Sequence, residues 1–350
     1  MTQRQSGGDR SSNYQAGQDL VIRQGPSLDE VRQIALDVFR SNFLDLRGIA
    51  EDVARARAEH ITEEFLRKLE EKSPAGLAQG ADPDFQRSLF NAQSEYACSG
   101  DKDLEEVLVD LLVDRADHAH QGLQTIVLNE AIKVVPKLNP GQRRTLALTF
   151  LLRHTRVTVP ELSLDQFYTL WMRQIVAVGR DVPTDAISYQ HIEYVGAGTV
   201  GIGSVSIGNA LRQSAAGWFT KGFIEADVPE NLHGYLSDSR IVKPCLRDPQ
   251  RLQLTQMAQD PSARSEAFKE AIDESERDGV SALLDTGLMA EAEIREELVA
   301  RVPDLQEVVE AWDNSNLSSL QLTSVGIAIG HGYWRRIMGV AAPLDVWIPN

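Results

Sequence analysis

The chain has 350 residues, 42% of them apolar and 25% charged, enough for a sizeable core in one large helical domain or in two domains. Its net charge of −16, spread along the sequence, argues against a general nucleic-acid binder, which needs a basic face to displace counterions from phosphates. Two cysteines, Cys98 and Cys245, make neither a disulfide framework nor a zinc knuckle.

The first residues are polar and lack the apolar core of a signal peptide. No stretch reaches the roughly 18 uninterrupted apolar residues of a spanning helix. The expected setting is therefore a reducing cytoplasm. Residues 1–13 have the composition of a disordered lead. Tyr14, Ala16, Leu20 and Ile22 then place apolar groups at even positions, which is the pattern of one strand face. Gly25-Pro26 ends this segment, and Ser27 with Glu30 has the spacing of a capping box.

From Leu28 to Lys72 the apolar residues step by three and four, with slips near Asn42 and Gly48. A continuous helix here would run roughly 65–70 Å at 1.5 Å per residue; a break between Asn42 and Gly48 is the alternative. Further helices are predicted over about 82–98, 102–117, 121–135, 140–153 and 163–178, with Pro83, Pro140 and Pro160 as punctuation.

The second half changes character. Ile192–Ile207 is rich in glycine and β-branched residues, and a helix is expected over 204–222, ending near Lys221-Gly222. Short extended pieces are expected at Leu232–Lys243 and Leu252–Leu254, and helices at 261–278, 280–286 and 290–312, the last kinked or split at Pro303. Leu320–Thr323 leads into a helix over 324–338, and a strand is expected at Val346–Ile348. The fold class is thus mainly α: a helical bundle or array with a long first helix, then a smaller α+β domain. The expected divisions are a tail at 1–26, a helical domain at 27–182 and an α+β domain at 183–350. Gly208 and Gly330 sit in similar short stretches, Val205–Leu211 and Ile327–Tyr333, where a missing Cβ lets backbones approach closely.

No residue set dictates a reaction, so no catalytic residue and no cofactor is expected. Asp114, Asp117 and His118 are the one metal-like group. Asp114 and His118 share a helix face, whereas His118 and His120 point about 200° apart; a surface Asp–His pair explains the same residues. Gly196, Gly198 and Gly201 satisfy a bare GxGxxG, but neither a preceding hydrophobic strand nor an acidic residue on a second strand accompanies them. The glycine-rich 194–210 segment also permits a membrane-perturbing role on activation. Trp312, Trp334 and Trp347 are expected in the core.

Two resemblances follow from particular residues. Gly100–Leu104, Asn129–Ile132 and Leu322-Thr323-Ser324-Val325-Gly326 resemble the corresponding runs of an uncharacterised family of mostly helical bacterial proteins. The C-terminal element is also similar to the abortive-infection-alpha group. This resemblance implies a helical fold and a setting in bacterial conflict and phage defence; it implies no active site. Tyr14-Gln15-Ala16-Gly17 with Leu20 and Ile22 resembles the core of RHIM-type amyloid signalling motifs, with Tyr14 and Ala16 in place of β-branched residues and Asp19 one place early. It implies an interaction segment made of Tyr14, Gln15, Ala16, Gly17, Leu20 and Ile22, which pairs main chain with a protein partner or with itself. A non-catalytic interaction protein that forms a homo-oligomer is the resulting expectation. A membrane-perturbing effector is the alternative, and a metal- or nucleotide-dependent enzyme the third.

Overall fold

The computed structural model describes residues 26–42, 48–117, 122–156, 162–255, 266–339 and 342–349. The chain is mainly α. The first predicted helix is two helices, α1 (Leu28–Asn42) and α2 (Ile49–Lys72). Arg32 pairs with Glu63 at 2.7 Å and Arg40 with Glu59 at 3.7 Å, so α1 lies antiparallel on α2 and is no straight rod. Gly48, at φ 67°, supplies the left-handed backbone that starts α2 on its return path. The capping box is present: Ser27 Oγ accepts from the Glu30 amide, and the Ser27 amide donates to the Glu30 carboxylate at 2.7 Å.

Helices α3 (Pro83–Ser99), α4 (Lys102–Asp117), α5 (Leu123–Val134) and α6 (Pro140–Arg153) follow. Their ends are set locally. Asp82 caps α3, Gly100 closes it at φ 63°, and Asn139 with Gln142 forms a full capping box on α6. Helix α4 runs through the middle of the array, with Val107, Leu108, Leu111 and Leu112 fully buried. The next predicted helix is composite. A turn of α-helix, α7 (Leu164–Gln166), passes into a π-helical segment at Phe167–Met172 and then into α8 (Arg173–Gly179).

The second half holds α9 (Ala186–Tyr194), β1 (Gly198–Val200), α10 (Ile207–Ser214), β2 (Val242–Pro244) and β3 (Leu252–Leu254). Beyond them lie α11 (Glu266–Ala271), α12 (Arg277–Ala282), α13 (Glu291–Arg301), α14 (Leu305–Asp313), β4 (Leu320–Leu322) and α15 (Ser324–Met338). The helix expected over 204–222 is only α10, the extended piece expected over 232–243 is a 3₁₀ turn at Glu230–Ser237 and reaches β2 only at Val242, and the stretch expected at 290–312 is split at Val302-Pro303. The strand expected at Val346–Ile348 is instead a 3₁₀ turn over Leu344–Val346. It buries Ile348 and lets Trp347 Nε1 donate to the His154 carbonyl at 2.6 Å.

The main core gathers buried residues from Val31 to Ile348. A satellite core gathers Phe223, Leu232, Ile241, Leu254, Phe268 and Val280 around the β2–β3 pair. Helix α15 joins the main core by packing against α6, α5 and α4. That packing depends on two glycines: a Cβ on Gly330 would sit 2.7 Å from the Leu146 carbonyl oxygen, and one on Gly326 would overlap the Ala197 carbonyl. Gly208 likewise lies against Glu291: a Cβ there would sit 2.9 Å from the Glu291 carbonyl oxygen. Both stretches expected to bring backbones together do so.

Candidate functional site

The acidic stripe of α4 is a structural seam. Asp110, 1% exposed, receives Lys68 of α2 at 2.6 Å and Arg335 of α15 at 3.2 Å. Arg335 also donates to Asp114 at 2.7 Å, and Asp117 accepts from Ser73 Oγ at 2.5 Å. Burial works against the charge on Arg335, but Asp114 and Asp110 outweigh it and hold the guanidinium above its ordinary pKa. Burial pushes the Lys72 ammonium down. Asp114 and Asp117 are thus engaged in helix packing, and His118 lies outside the described residues. No cluster of three metal-ligating side chains occurs among the described residues. The interaction segment Tyr14, Gln15, Ala16, Gly17, Leu20 and Ile22 also lies outside them.

The glycine-rich segment enters a two-stranded antiparallel sheet. Gly198 belongs to β1, which pairs antiparallel with β4 in the register Gly198↔Leu322, Thr199↔Gln321, Val200↔Leu320. Both outer edges of this pair are closed by side chains. The Val200 amide donates to Glu193 Oε1 at 2.7 Å, and Arg153 donates to the carbonyls of Leu320 and Ser318. No further strand can add there without displacing a charged group. No described helix is long and apolar enough to cross a membrane.

Near that pair, on α9 and in the loop after β1, three apolar side chains are exposed. Helix α9 starts at Asp185, whose side chain accepts from the Ser188 amide at 2.9 Å; this backbone hydrogen bond holds the Asp185 carboxyl below its usual value. The helix buries Tyr189 and Ile192, and Tyr189 Oη donates to the Pro183 carbonyl at 2.7 Å. Burial raises the Tyr189 hydroxyl to about 12. Its other side carries Ile187 and Tyr194, 76% and 87% exposed, seven residues apart and hence on one face. Ile202, in the loop after β1, is fully exposed. The Glu193–Val200 bond ties the end of α9 to β1, so Tyr194 and Ile202 lie on either side of one anchored junction. From Tyr194 through Leu211 no residue is charged. Sequence reading singled out 194–210 as glycine-rich; the exposure of Ile187 and Tyr194 became visible only with the fold.

A second polar cluster surrounds Phe150. Its ring contacts His154, His331, Trp334 and Trp347, with centroids between 4.9 and 6.1 Å away. The expected burial of the tryptophans holds for Trp312 and Trp334. His331 Nε2 lies 2.8 Å from the Ala342 carbonyl oxygen; a carbonyl only accepts, so this nitrogen carries the proton. Burial lowers the pKa of His331, and burial followed by the Arg153 charge lowers that of His154. Both imidazoles are therefore harder to protonate folded than unfolded, where they titrate near about 6.5. Their contribution to stability is complete above that value and is lost as the pH falls from there through the depressed folded pKa values. Thermal unfolding should show Tm falling between about pH 7 and pH 5. His331→Gln, which keeps a donor toward Ala342 and cannot titrate, should reduce that slope. An unchanged slope would assign the loss to other groups.

A protein-family model matches residues 25–348 and describes an uncharacterised family. The Tyr14–Ile22 segment lies outside the matched span, and the match supports the resemblance to an uncharacterised helical family without extending to the other two resemblances. No curated protein and no solved structure matches the chain significantly. Because the match covers nearly the whole sequence, the chain belongs to this uncharacterised family.

Proposed function

We propose that the chain is a non-catalytic interaction protein that pairs with a second copy of itself through the face made by α9 and the β1 loop. The observation that supports this reading is the exposure of Ile187, Tyr194 and Ile202 on an anchored platform, since exposed apolar groups gathered on rigid elements mark docking surfaces. The same observation favours a second copy as the occupant. Symmetric pairing sets a patch against itself, and in a chain of net charge −16 most faces would then meet a like-charged copy. The segment from Tyr194 to Leu211 has no charge to repel.

Ile202→Asp places two carboxylates across such an interface and should convert a concentration-dependent dimer into a monomer by light scattering after size exclusion, with Tm unchanged because Ile202 touches nothing inside the fold. A wild-type chain that stays monomeric well above micromolar concentration would overturn this reading. Vesicle binding by a monomeric wild type, lost in Ile202→Asp, would favour membrane contact instead. Main-chain pairing by Tyr14–Ile22 is a separable route to assembly: deleting residues 1–25 leaves the α9–β1 face intact, so a mass unchanged by that deletion argues against the segment. The phage-defence setting rests on the sequence resemblance. Phage plating on cells with and without the gene tests it, and equal plaque counts would remove it.

A further inference from the structure

A groove of about 520 Å³ runs between the π-helical segment with α8 on one side and the turn from α13 to α14 on the other. Its lining includes Thr169, Arg173, Arg180, Arg301 and Asp304, with the Tyr168 ring at its edge. Three guanidinium groups at one groove are unusual in a chain of net charge −16. A π-helical turn, which is less stable than α-helix and recurs at functional sites, adjoins it. Thr169, Arg173, Ala177 and Arg180 step by four, four and three residues and line the groove as one helical row.

The charges are not equivalent. Arg301 lies over the Tyr168 ring at 4.8 Å, and its guanidinium is held by Glu297 at 2.8 Å and Asp165 at 3.2 Å. The Tyr168 hydroxyl is buried, and burial followed by the Glu297 charge raises its pKa. Arg301 is therefore a fixed wall. Arg180 pairs with Asp304 at 3.1 Å, but both side chains are more than half exposed, so this pair is weak and readily exchanged. The Arg173 side chain is exposed and forms no hydrogen bond or ion pair with a described residue. The cation that has no carboxylate and the cation that has an exchangeable one stand two helical turns apart, about 10 Å along the axis.

We infer that this groove binds an elongated oxyanion, a linear chain of phosphoryl groups, with Arg173 at one end and Arg180, released from Asp304, at the other. A single orthophosphate spans too little to use both guanidiniums fully, whereas a di- or triphosphate chain reaches between them, and arginine's planar fork matches phosphate oxygens. The groove is also within the size range of small-ligand sites.

The test is calorimetric titration of the full chain, without divalent metal, using orthophosphate, pyrophosphate, tripolyphosphate and a nucleoside triphosphate. Affinity should rise from orthophosphate to tripolyphosphate. Arg173→Ala and Arg180→Ala should each weaken tripolyphosphate by about tenfold or more, the scale of a lost charge-assisted hydrogen bond. Asp304→Asn, which removes the internal competitor, should tighten it. A nucleoside triphosphate that binds like tripolyphosphate marks the phosphoryl chain itself as the ligand, and one that binds more tightly marks a nucleotide; either supports the site. No heat with any of the four at millimolar concentration, equal binding by Arg173→Ala, or weaker binding by Asp304→Asn would overturn it. The Arg173 side chain is exposed and holds no polar contact among the described residues, and a Tm for Arg173→Ala equal to that of wild type separates lost binding from a folding defect.

Discussion

Gly326→Ala is expected to destabilise the protein by about 3 kcal/mol or more, at the upper end of what overpacking costs. The added Cβ would overlap the carbonyl oxygen of Ala197, and that oxygen is main chain. A rotamer change cannot relieve the clash. Moving Ala197 would pull on Thr323, whose amide donates to that same carbonyl at 3.3 Å, and on the register of β1 against β4. Helix propensity acts the other way, because alanine is favoured over glycine inside a helix by about 1 kcal/mol; the clash wins because it is a backbone overlap. Gly203→Ala provides the contrast, since nothing lies within 4 Å of its Cβ direction, and a surface change of this kind stays within about 0.5 kcal/mol. Denaturant midpoints of the two variants check both values. A Gly326→Ala protein as stable as wild type would mean that α15 does not seat against residue 197 as described.

Arg335→Met should cost about 3 kcal/mol or more, the scale for removing one partner of a buried ion pair. Asp110 is 1% exposed, and without Arg335 it keeps Lys68 at 2.6 Å and Lys72 at 3.8 Å. Asp114 loses the 2.7 Å hydrogen bond that Arg335 gives it. The methionine fills the stem's place but leaves carboxylates in low dielectric with less compensation. An exposed pair behaves differently: Glu51 and Arg55, both about half exposed, should contribute under about 0.5 kcal/mol. Urea titration of Arg335→Met beside Glu51→Ala measures the contrast. Equal small losses would show that the α4 seam is solvated and not a structural element.

What the sequence made legible was local. Ser27 with Glu30, Asp82-Pro83 and Asn139 with Gln142 are caps whose partners stand within four residues, and the ends of α1, α3 and α6 follow from them. The same is true of α15, where Thr323 accepts from the Gly326 amide. The features that were hidden depend on distant partners. The acidic stripe of α4 reads as a metal group only when Arg335 is out of view, and Arg335 stands 225 residues beyond Asp110. The slips at Asn42 and Gly48 showed where the first helix is interrupted, but its folding back is fixed by cross-helix pairs such as Arg32 with Glu63. The glycine segment stands out in sequence by its composition. That Ile187 and Tyr194 share its exposed side depends on which face of α9 the core claims, and Tyr189 and Ile192 decide that. The π-helical segment at Phe167–Met172 was not read from the sequence, where the whole of 163–178 fits one α-helical pattern.

The most direct measurement of self-pairing through the α9–β1 face is disulfide capture. Cys98 is exposed and Cys245 buried, so Cys98→Ser gives a background without an accessible thiol. In that background Ile202→Cys should form a covalent dimer under mild oxidation, while Glu70→Cys, exposed on α2 away from this face, should stay monomeric. Equal cross-linking at the two positions, or none at Ile202, would contradict pairing through this surface.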